Sequence, residues 1–360
     1  MTRYLTVNPG SSSLKLAVIE DDRVVEEHTV DGWLGESDPL IGFARHAHPD
    51  AAAVRIVHGG DRPGPTPLTT TELDDLARYV PLAPLHQPIA LRLARDTVAL
   101  LAGTPVHGCY DTSFHLGLPA RARLCALPRG LAERHGIRRH GFHGLSVAHA
   151  VRRAAELLGR PVGELRLVVA HIGSGVSVTA VDRGRSVDTT MGFSPLEGLP
   201  GTTRSGSLDP AVVLHLLSTG DFDIPGLRRV LVHQSGLAGL SGTDGDVRTL
   251  LGARAARSVY AAEALDLYTH RIAREIAAAR VSLDGLDALV LTGGVAEHQP
   301  GLCRDVLRDL GHLGLPSEPP TGERVVECGP EAALLVVPAR EDLEMVRQIR
   351  TATSRTGVPA

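Results

Sequence analysis

Two arginines are placed where small residues would let an anion approach. Arg55 lies in a strand-like Val54-Arg55-Ile56-Val57 run followed by His58-Gly59-Gly60, and Arg204 sits in Gly201-Thr202-Thr203-Arg204-Ser205-Gly206. Forked guanidiniums match carboxylate and phosphate oxygens, and glycines admit a ligand close to the backbone. Singly, each is equally well read as a solvated surface arginine; as a pair from distant loops they suit a reaction between two anions. A third cation has a different character. Lys15 is the only lysine among 37 basic residues, and it follows Asn8-Pro9-Gly10-Ser11-Ser12-Ser13-Leu14. Successive hydroxyls and backbone N–H groups beside a compact ammonium charge can cradle phosphate oxygens. The Gly-Lys-Ser/Thr ending of a Walker A loop is absent.

Asp111, in Tyr110-Asp111-Thr112-Ser113, and Glu341 are candidate anchors for a hydrated magnesium ion, which takes one or two carboxylates. His86, His115, His143 and His171 occupy loop or strand-end contexts without an HExxH or HxH pattern, and such histidines are more often structural. Gly293-Gly294 either admits a flat purine against the backbone or simply turns a strand into a helix.

The elements that must hold these residues read as two related halves. Tyr4 to Val7 and Leu14 to Glu20 form a strand pair around the Ser-rich tip, and Leu167 to His171 and Val176 to Val181 form another around Ile172-Gly173-Ser174-Gly175. Arg152 to Leu158, Asp209 to Leu217 and Arg254 to Ala279 carry apolar residues at helical spacing. A short strand from Leu286 to Leu291 ends in Thr292-Gly293-Gly294, and a helix is expected from Pro300. Strand, glycine turn and helix make a ligand-facing edge, and the class is α/β. Pro/Gly-rich loops span Gly59 to Pro67, Pro195 to Pro210 and Gly311 to Gly322, the middle one long enough to suggest function. The tail after Thr351 is expected to fray.

At 360 residues the chain accommodates roughly two domains at about 150 residues each. With 43% apolar and 22% charged residues it is a folded globular chain rather than a disordered or fibrous one. A net charge of −4 offers no global attraction to nucleic acid or anionic lipid, so neither is an expected partner. Cys109, Cys125, Cys303 and Cys328 lack CxxC or zinc spacing, which suits a reducing compartment. The N-terminus has no secretory pattern and no apolar run approaches the ~20 residues of a membrane span. A cytoplasmic location is expected.

In order along the chain, several segments resemble the acetate kinase (acetokinase) family, within the acetate and sugar kinase, Hsc70 and actin superfamily. They are the Asn8-to-Lys15 loop, Arg55 to Gly60, Leu85-His86-Gln87-Pro88, Asp111 to His115, Arg139-His140-Gly141-Phe142-His143-Gly144 and His171 to Gly175. Met191 to Leu199, Thr203 to Pro210 and Thr292 to Glu297 continue the series, so the resemblance covers nearly the whole chain.

The resemblance implies a two-domain actin-like ATPase, ribonuclease H-like fold with a duplicated core and an active-site cleft between domains. Residues 1–111 plus 343–360 would form the N-terminal domain, with a returning C-terminal helix at about Glu341 to Arg350, and 112–342 the nucleotide-binding domain. It assigns Asn8, Ser11, Ser13 and Lys15 to a first phosphate loop. A second holds His171, Gly173, Ser174 and Gly175. Arg55 and Arg204 would grip the carboxylate and the transferring phosphoryl group, with His143 donating to the latter. Asp111 is the catalytic aspartate, Asn8 and Glu341 are the magnesium-associated residues, and Val57, Leu85, Phe142 and Pro195 face the substrate's alkyl group. Asp246 and Arg248 match the adenosine side, and Gly293, Gly294, Val295, Ala296, Glu297 and His298 the purine loop.

The implied activity is reversible transfer from ATP to acetate, with magnesium or manganese, giving ADP and acetyl phosphate, by a homodimer. A carboxylate is already ionised at neutral pH, so charge neutralisation matters more than a general base, and Asp111 reads as an orienting group. Propionate or butyrate kinase is the alternative within the class; a non-catalytic nucleotide-binding regulator is the alternative outside it. Ser174 and Ala296-Glu297-His298 replace the family's Asn and Gly-Glu-Asn on the nucleotide side, Arg340 replaces an Asn before the metal-associated glutamate, and the region between Val30 and Ala53 is compact.

Overall fold

A computed structural model describes residues 2–10, 13–33, 35–320, 322–323, 325–328 and 332–356. They group into two units: Met1–Leu116 with Phe142–His149 and Arg340–Ala360, and Gly117–Gly141 with Ala150–Ala339.

The first unit carries β1 (Arg3–Pro9), β2 (Ser13–Glu20), β3 (Arg23–Asp31), β4 (Ala51–Ile56), β5 (Thr66–Pro67) and β6 (Val106–Tyr110), in the order β3-β2-β1-β4-β6-β5. β1, β4 and β6 are parallel, while β2, β3 and β5 join them antiparallel. Because side chains alternate across a strand, each sheet face has its own core. Leu5, Val7, Val54, Ile56 and Tyr110 belong to one cluster with Leu40, Leu91 and Leu93. Tyr4, Ile19, Ala51, Ala53 and Cys109 belong to the other, which the helix Glu341–Thr356 completes with Met345, Val346 and Ile349. Continuing that second face, four residues past Tyr4 on β1 and two past Ala53 on β4 and Cys109 on β6, reaches Asn8, Arg55 and, just beyond the end of β6, Asp111. Strand alternation alone therefore puts these three polar side chains on one face, at the C-terminal ends of neighbouring parallel strands.

The second unit repeats the arrangement. Its strands β7 (Arg166–Ile172), β8 (Val176–Asp182), β9 (Arg185–Thr189), β10 (Ala288–Thr292), β11 (Val325–Cys328) and β12 (Ala332–Val337) are ordered β11-β12-β10-β7-β8-β9. β7, β10 and β12 are parallel and the others antiparallel. Even the hairpin details recur. Asp21 and Asp22 (φ 45° and 61°) join β2 to β3, and Arg183 and Gly184 (φ 50° and 79°) join β8 to β9, the paired left-handed residues a type I′ turn requires. Each hairpin also carries a register shift, at Val18/Ile19 and at Ala180/Val181.

Several sequence expectations are corrected. β3 and β9 escape the strand patterns; β3 reads exposed or half-buried throughout, so it offers no apolar alternation. The helical stretch from Arg254 to Ala279 is two helices, Val247–Ala255 and Val259–Ala279, because Arg257 turns left-handed (φ 65°) and Ser258 caps the second by accepting from the Ala261 amide. The C-terminal helix continues to Thr356 instead of fraying after Thr351. Finally, Phe142–His149 groups with the first unit, whereas the expected boundaries placed it in the second. The Gly144 amide donates to the Asp111 carbonyl (2.9 Å), and a Cβ on Gly144 would lie 2.1 Å from that oxygen, so only glycine permits this approach.

Candidate active site

At the strand ends of the first unit Arg55 is the hub. Its Nε donates to both Asp111 oxygens (3.1 and 3.2 Å), Nη2 donates to Asp111 Oδ2 (2.7 Å) and Nη1 donates to Asn8 Oδ1 (3.1 Å). Glu341 Oε1 lies 4.0 Å from Nη1. Burial opposes the Arg55 charge, but Asp111 and Glu341 more than restore it and hold the guanidinium above its ordinary value. Burial lifts the Asp111 carboxyl above the usual carboxylate range, with Arg55 opposing the lift and Glu341 adding to it. Arg340, the unusual neighbour of Glu341, forks onto Asp342 (3.0 and 2.6 Å), which neutralises its charge locally.

Around this hub, His143 has φ 59° and its backbone hydrogen-bonds the Asp111 carboxylate. A left-handed non-glycine residue is costly and clusters at functional sites. His115, buried and pushed down to about 4 by that burial, donates from Nε2 to the Phe142 carbonyl (3.0 Å) and so fixes the turn carrying His143. Phe142 meets His58 edge-on at 5.5 Å, next to buried Val57, and Gln87 brackets His58 through its amide and carbonyl (3.0 and 2.9 Å). Half-buried Leu85 precedes Gln87 by two residues. Lys15 is exposed on β2 and has no ion pair among the described residues. Ser13 opens β2, where its carbonyl accepts from the Gly10 amide (2.7 Å); Ser11 lies outside the described residues.

Oxygen donors from Asn8, Asp111 and Glu341 suit a hard cation that keeps several waters, although no cluster of three metal-ligating His, Cys, Asp or Glu occurs among the described residues. This donor set fits a hydrated magnesium ion and gives no basis for a fully protein-caged metal.

The second unit presents Arg204 differently. It is 7% exposed, Nη1 donates to the Pro195 carbonyl (3.2 Å), and among the described residues no carboxylate pairs with it. Burial without a counter-charge pushes it down to about 10. Such a cation is costly unless an anion arrives. Its loop is tied to the second hairpin turn, since the Thr202 amide donates to the Ser174 carbonyl (3.0 Å). Buried His171 is the penultimate residue of β7, ahead of Gly173 and Gly175. Asp246 caps Val247–Ala255 and takes Arg248 in a fork (3.0 and 2.7 Å), so that pair is internally satisfied and the Asp246 carboxyl is held low. Gly293 (φ 92°) must be glycine, as a Cβ there would meet the Ile172 carbonyl at 2.7 Å. The turn Gly294–His298 follows, with Val295 half-buried, Ala296 buried, His298 exposed and Glu297 accepting from the Ala339 amide (2.9 Å).

Arg139 received no separate role from its sequence motif. Its guanidinium donates to the carbonyls of Ala122, Thr189 and Thr190 (3.1, 3.0 and 2.8 Å) and to Glu197 (2.8 Å). Glu197 belongs to the loop that supplies the Pro195 carbonyl to Arg204. Nothing local in sequence signals a bond between residues 58 positions apart.

Duplicated mixed sheets with charged or glycine-bounded strand ends define the acetate and sugar kinase, Hsc70 and actin class of phosphoryl-transfer folds. Within that class the chain belongs to the acetokinase family, whose model matches residues 44–348. An acetate kinase of Synechococcus sp. is 41% identical over 322 residues, covering 86% of this chain and 77% of that protein. The crystal structure of Porphyromonas gingivalis acetate kinase superposes with a TM-score of 0.85 at 29% identity, covering 98% of this chain and 99% of the other. That of a propionate kinase from Francisella tularensis gives 0.87 at 26%, covering 97% and 99%. The chain is accordingly a phosphotransferase with a carboxyl group as acceptor. No helix among the described residues is long and apolar enough to cross a membrane.

Proposed function

We propose that the chain catalyses the reversible, magnesium-dependent transfer of a phosphoryl group from ATP to acetate, giving ADP and acetyl phosphate. The observation that carries this reading is buried Arg204, a cation that pairs with no carboxylate among the described residues. Its ligand must be an anion, and a phosphoryl group in flight spreads its charge over three equatorial oxygens. An acetate oxygen bonds the γ-phosphorus as the bond to the β,γ-bridging oxygen breaks, and ADP leaves with that electron pair. No proton moves at the nucleophile, so the residues orient and neutralise. Arg55, fixed by Asp111 and Asn8, presents a set guanidinium; His143 donates to the phosphoryl group; Arg204 takes its developing charge. Val57, Leu85, Phe142 and Pro195 bound the methyl group. Asn8 and Glu341 would hold magnesium or manganese, which when bound offsets charge on the phosphate oxygens. Lys15, Ser11, Ser13, His171 and the Gly173-Ser174-Gly175 turn serve the phosphates, and Asp246, Arg248 and Gly293 to His298 the nucleoside. A cytoplasmic homodimer belongs to the same proposal by family analogy.

Hydroxamate trapping of purified protein with magnesium and ATP, comparing acetate, propionate, butyrate and no carboxylate, tests the reaction directly. GTP and pyrophosphate replace ATP in parallel. Acetyl hydroxamate is the expected product; none with any pair, while nucleotide binding persists, would leave a nucleotide-binding regulator. Likeness to a propionate kinase favours that substrate as a second reading. Val57→Ala should shift kcat/KM toward propionate by about tenfold relative to acetate, since one methylene is worth ~1–3 kcal/mol. An unchanged ratio would place the alkyl pocket elsewhere.

A further inference from the structure

Behind the loop that holds Arg204 lies a cavity of about 350 Å³ within the second unit. Its apolar lining includes Leu199, Pro200, Leu240 and Leu267; its polar lining includes Gln234, Arg271 and the Arg274–Glu275 pair. Leu267, Arg271, Arg274 and Glu275 are spaced by four, three and one along Val259–Ala279 and so share a face of that helix. Arg274 is taken by Glu275 (2.7 Å). Arg271 makes no hydrogen bond or ion pair among the described residues. A cavity of this size, mostly apolar with one unengaged guanidinium, has the character of a small-molecule site. Its occupant would need an anionic head for Arg271 and an apolar body for the leucines.

The wall of this cavity is the catalytic loop's own backbone. Gly198 donates to Ser207 Oγ (2.9 Å) and Ser207 donates back to the Gly198 carbonyl (2.8 Å), closing the loop that contains Arg204. On the far side the Ser235 amide donates to the Thr203 carbonyl and the Leu237 amide to the Gly201 carbonyl (both 3.0 Å). Ser207, Ser235 and Gly198 all line the cavity. We propose that this cavity is an effector site for an amphipathic monocarboxylate longer than the substrate, bound through Arg271 and coupled to Arg204 through the shared loop. Any ligand that prefers one arrangement of the loop changes turnover by that preference, and by nothing else.

Octanoate serves as the probe. Titrated calorimetrically into the full chain with acetate saturating, it should bind at one site, and octylammonium should not bind. Arg271→Gln should weaken octanoate at least tenfold, and Leu240→Asp, which sets a like charge in the cavity, should do the same. In assays saturated with acetate and ATP, octanoate should change kcat of the unsubstituted chain by twofold or more and leave each variant at its own octanoate-free rate. Absence of binding, displacement by acetate, equal affinity in Arg271→Gln, or an effect confined to the KM for acetate would each overturn the proposal. The calorimetry needs no turnover, so its failure is distinct from failure of the acetate kinase reading.

Discussion

The two sheets share strand order, strand directions, hairpin turns and even the register shift, yet their functional ends differ. By register, Asn8 and Arg55 in the first sheet correspond to His171 and Thr292 in the second, and Asp111 corresponds to Ala339. One copy ends in an ionised, hydrogen-bonded array; the other ends in a buried hydroxyl and a glycine turn. The lesson is that the scaffold fixes where side chains can be presented, while chemistry is set by which residues occupy those few positions. Arg204 adds a contrast in charge management, since Asp111 and Glu341 compensate Arg55 whereas no carboxylate among the described residues pairs with Arg204.

That contrast can be broken at several points. Making the first strand end resemble the second, by Arg55→Gln, should cost most: kcat falling by about 10³ or more in the hydroxamate assay, since an arginine on transferring phosphoryl charge is worth ~10³–10⁵. Stability should also drop, by about 3–5 kcal/mol in denaturant titration, because Asp111 stays buried without its partner. Arg204→Lys should lower kcat by about 10², as an ammonium cannot reproduce the fork. Protonation gives this residue a second readout. Burial has pushed Arg204 down to about 10, so raising pH past that value removes its charge from the free protein. kcat/KM should therefore decline above about pH 10, whereas kcat at saturation should hold to higher pH because the bound anion restores the proton; coincident declines would count against Arg204 as the anion site. Arg139→Lys, which removes the fork over three carbonyls and Glu197, should reduce kcat about tenfold with an unchanged KM for ATP. Smallest of all is Thr292→Val at the counterpart of Arg55. Thr292 Oγ1 is buried with no hydrogen-bond partner among the described residues, so the melting temperature should stay level or rise slightly.

Much of this comparison is legible in the amino-acid sequence. Two hairpins with polar tips, repeated 163 residues apart (Arg3 against Arg166), announce a duplicated α/β core because apolar alternation and glycine turns are local signals. The missing pieces were nonlocal or unpatterned. β3 carries no apolar stripe, Arg257 breaks a helix by a backbone choice that arginine does not advertise, and the C-terminal helix extends through Thr and Ser side chains bonded back to carbonyls of its own turns. At the site, residue types identified Arg55, Asp111 and Glu341 singly, but only pairing of β4 with β6 brings Arg55 and Asp111, 56 positions apart, into one ion pair. The self-satisfied Asp246–Arg248 fork and the role of Arg139 depend likewise on where side chains settle in space.

The helix Glu341–Thr356 has a consequence for how the chain is made. Cys109 donates to the Met345 carbonyl across 236 positions, and Met345, Val346 and Ile349 cover Tyr4, Ile19, Ala51 and Ala53. At a synthesis rate of ~5–20 residues per second, that sheet face waits on the order of ten to fifty seconds on the ribosome before its cover exists. The second sheet draws its own core from residues 168–336 and needs no such wait. The half translated first is thus the half completed last, and its uncovered face is the one that nascent-chain chaperones would meet.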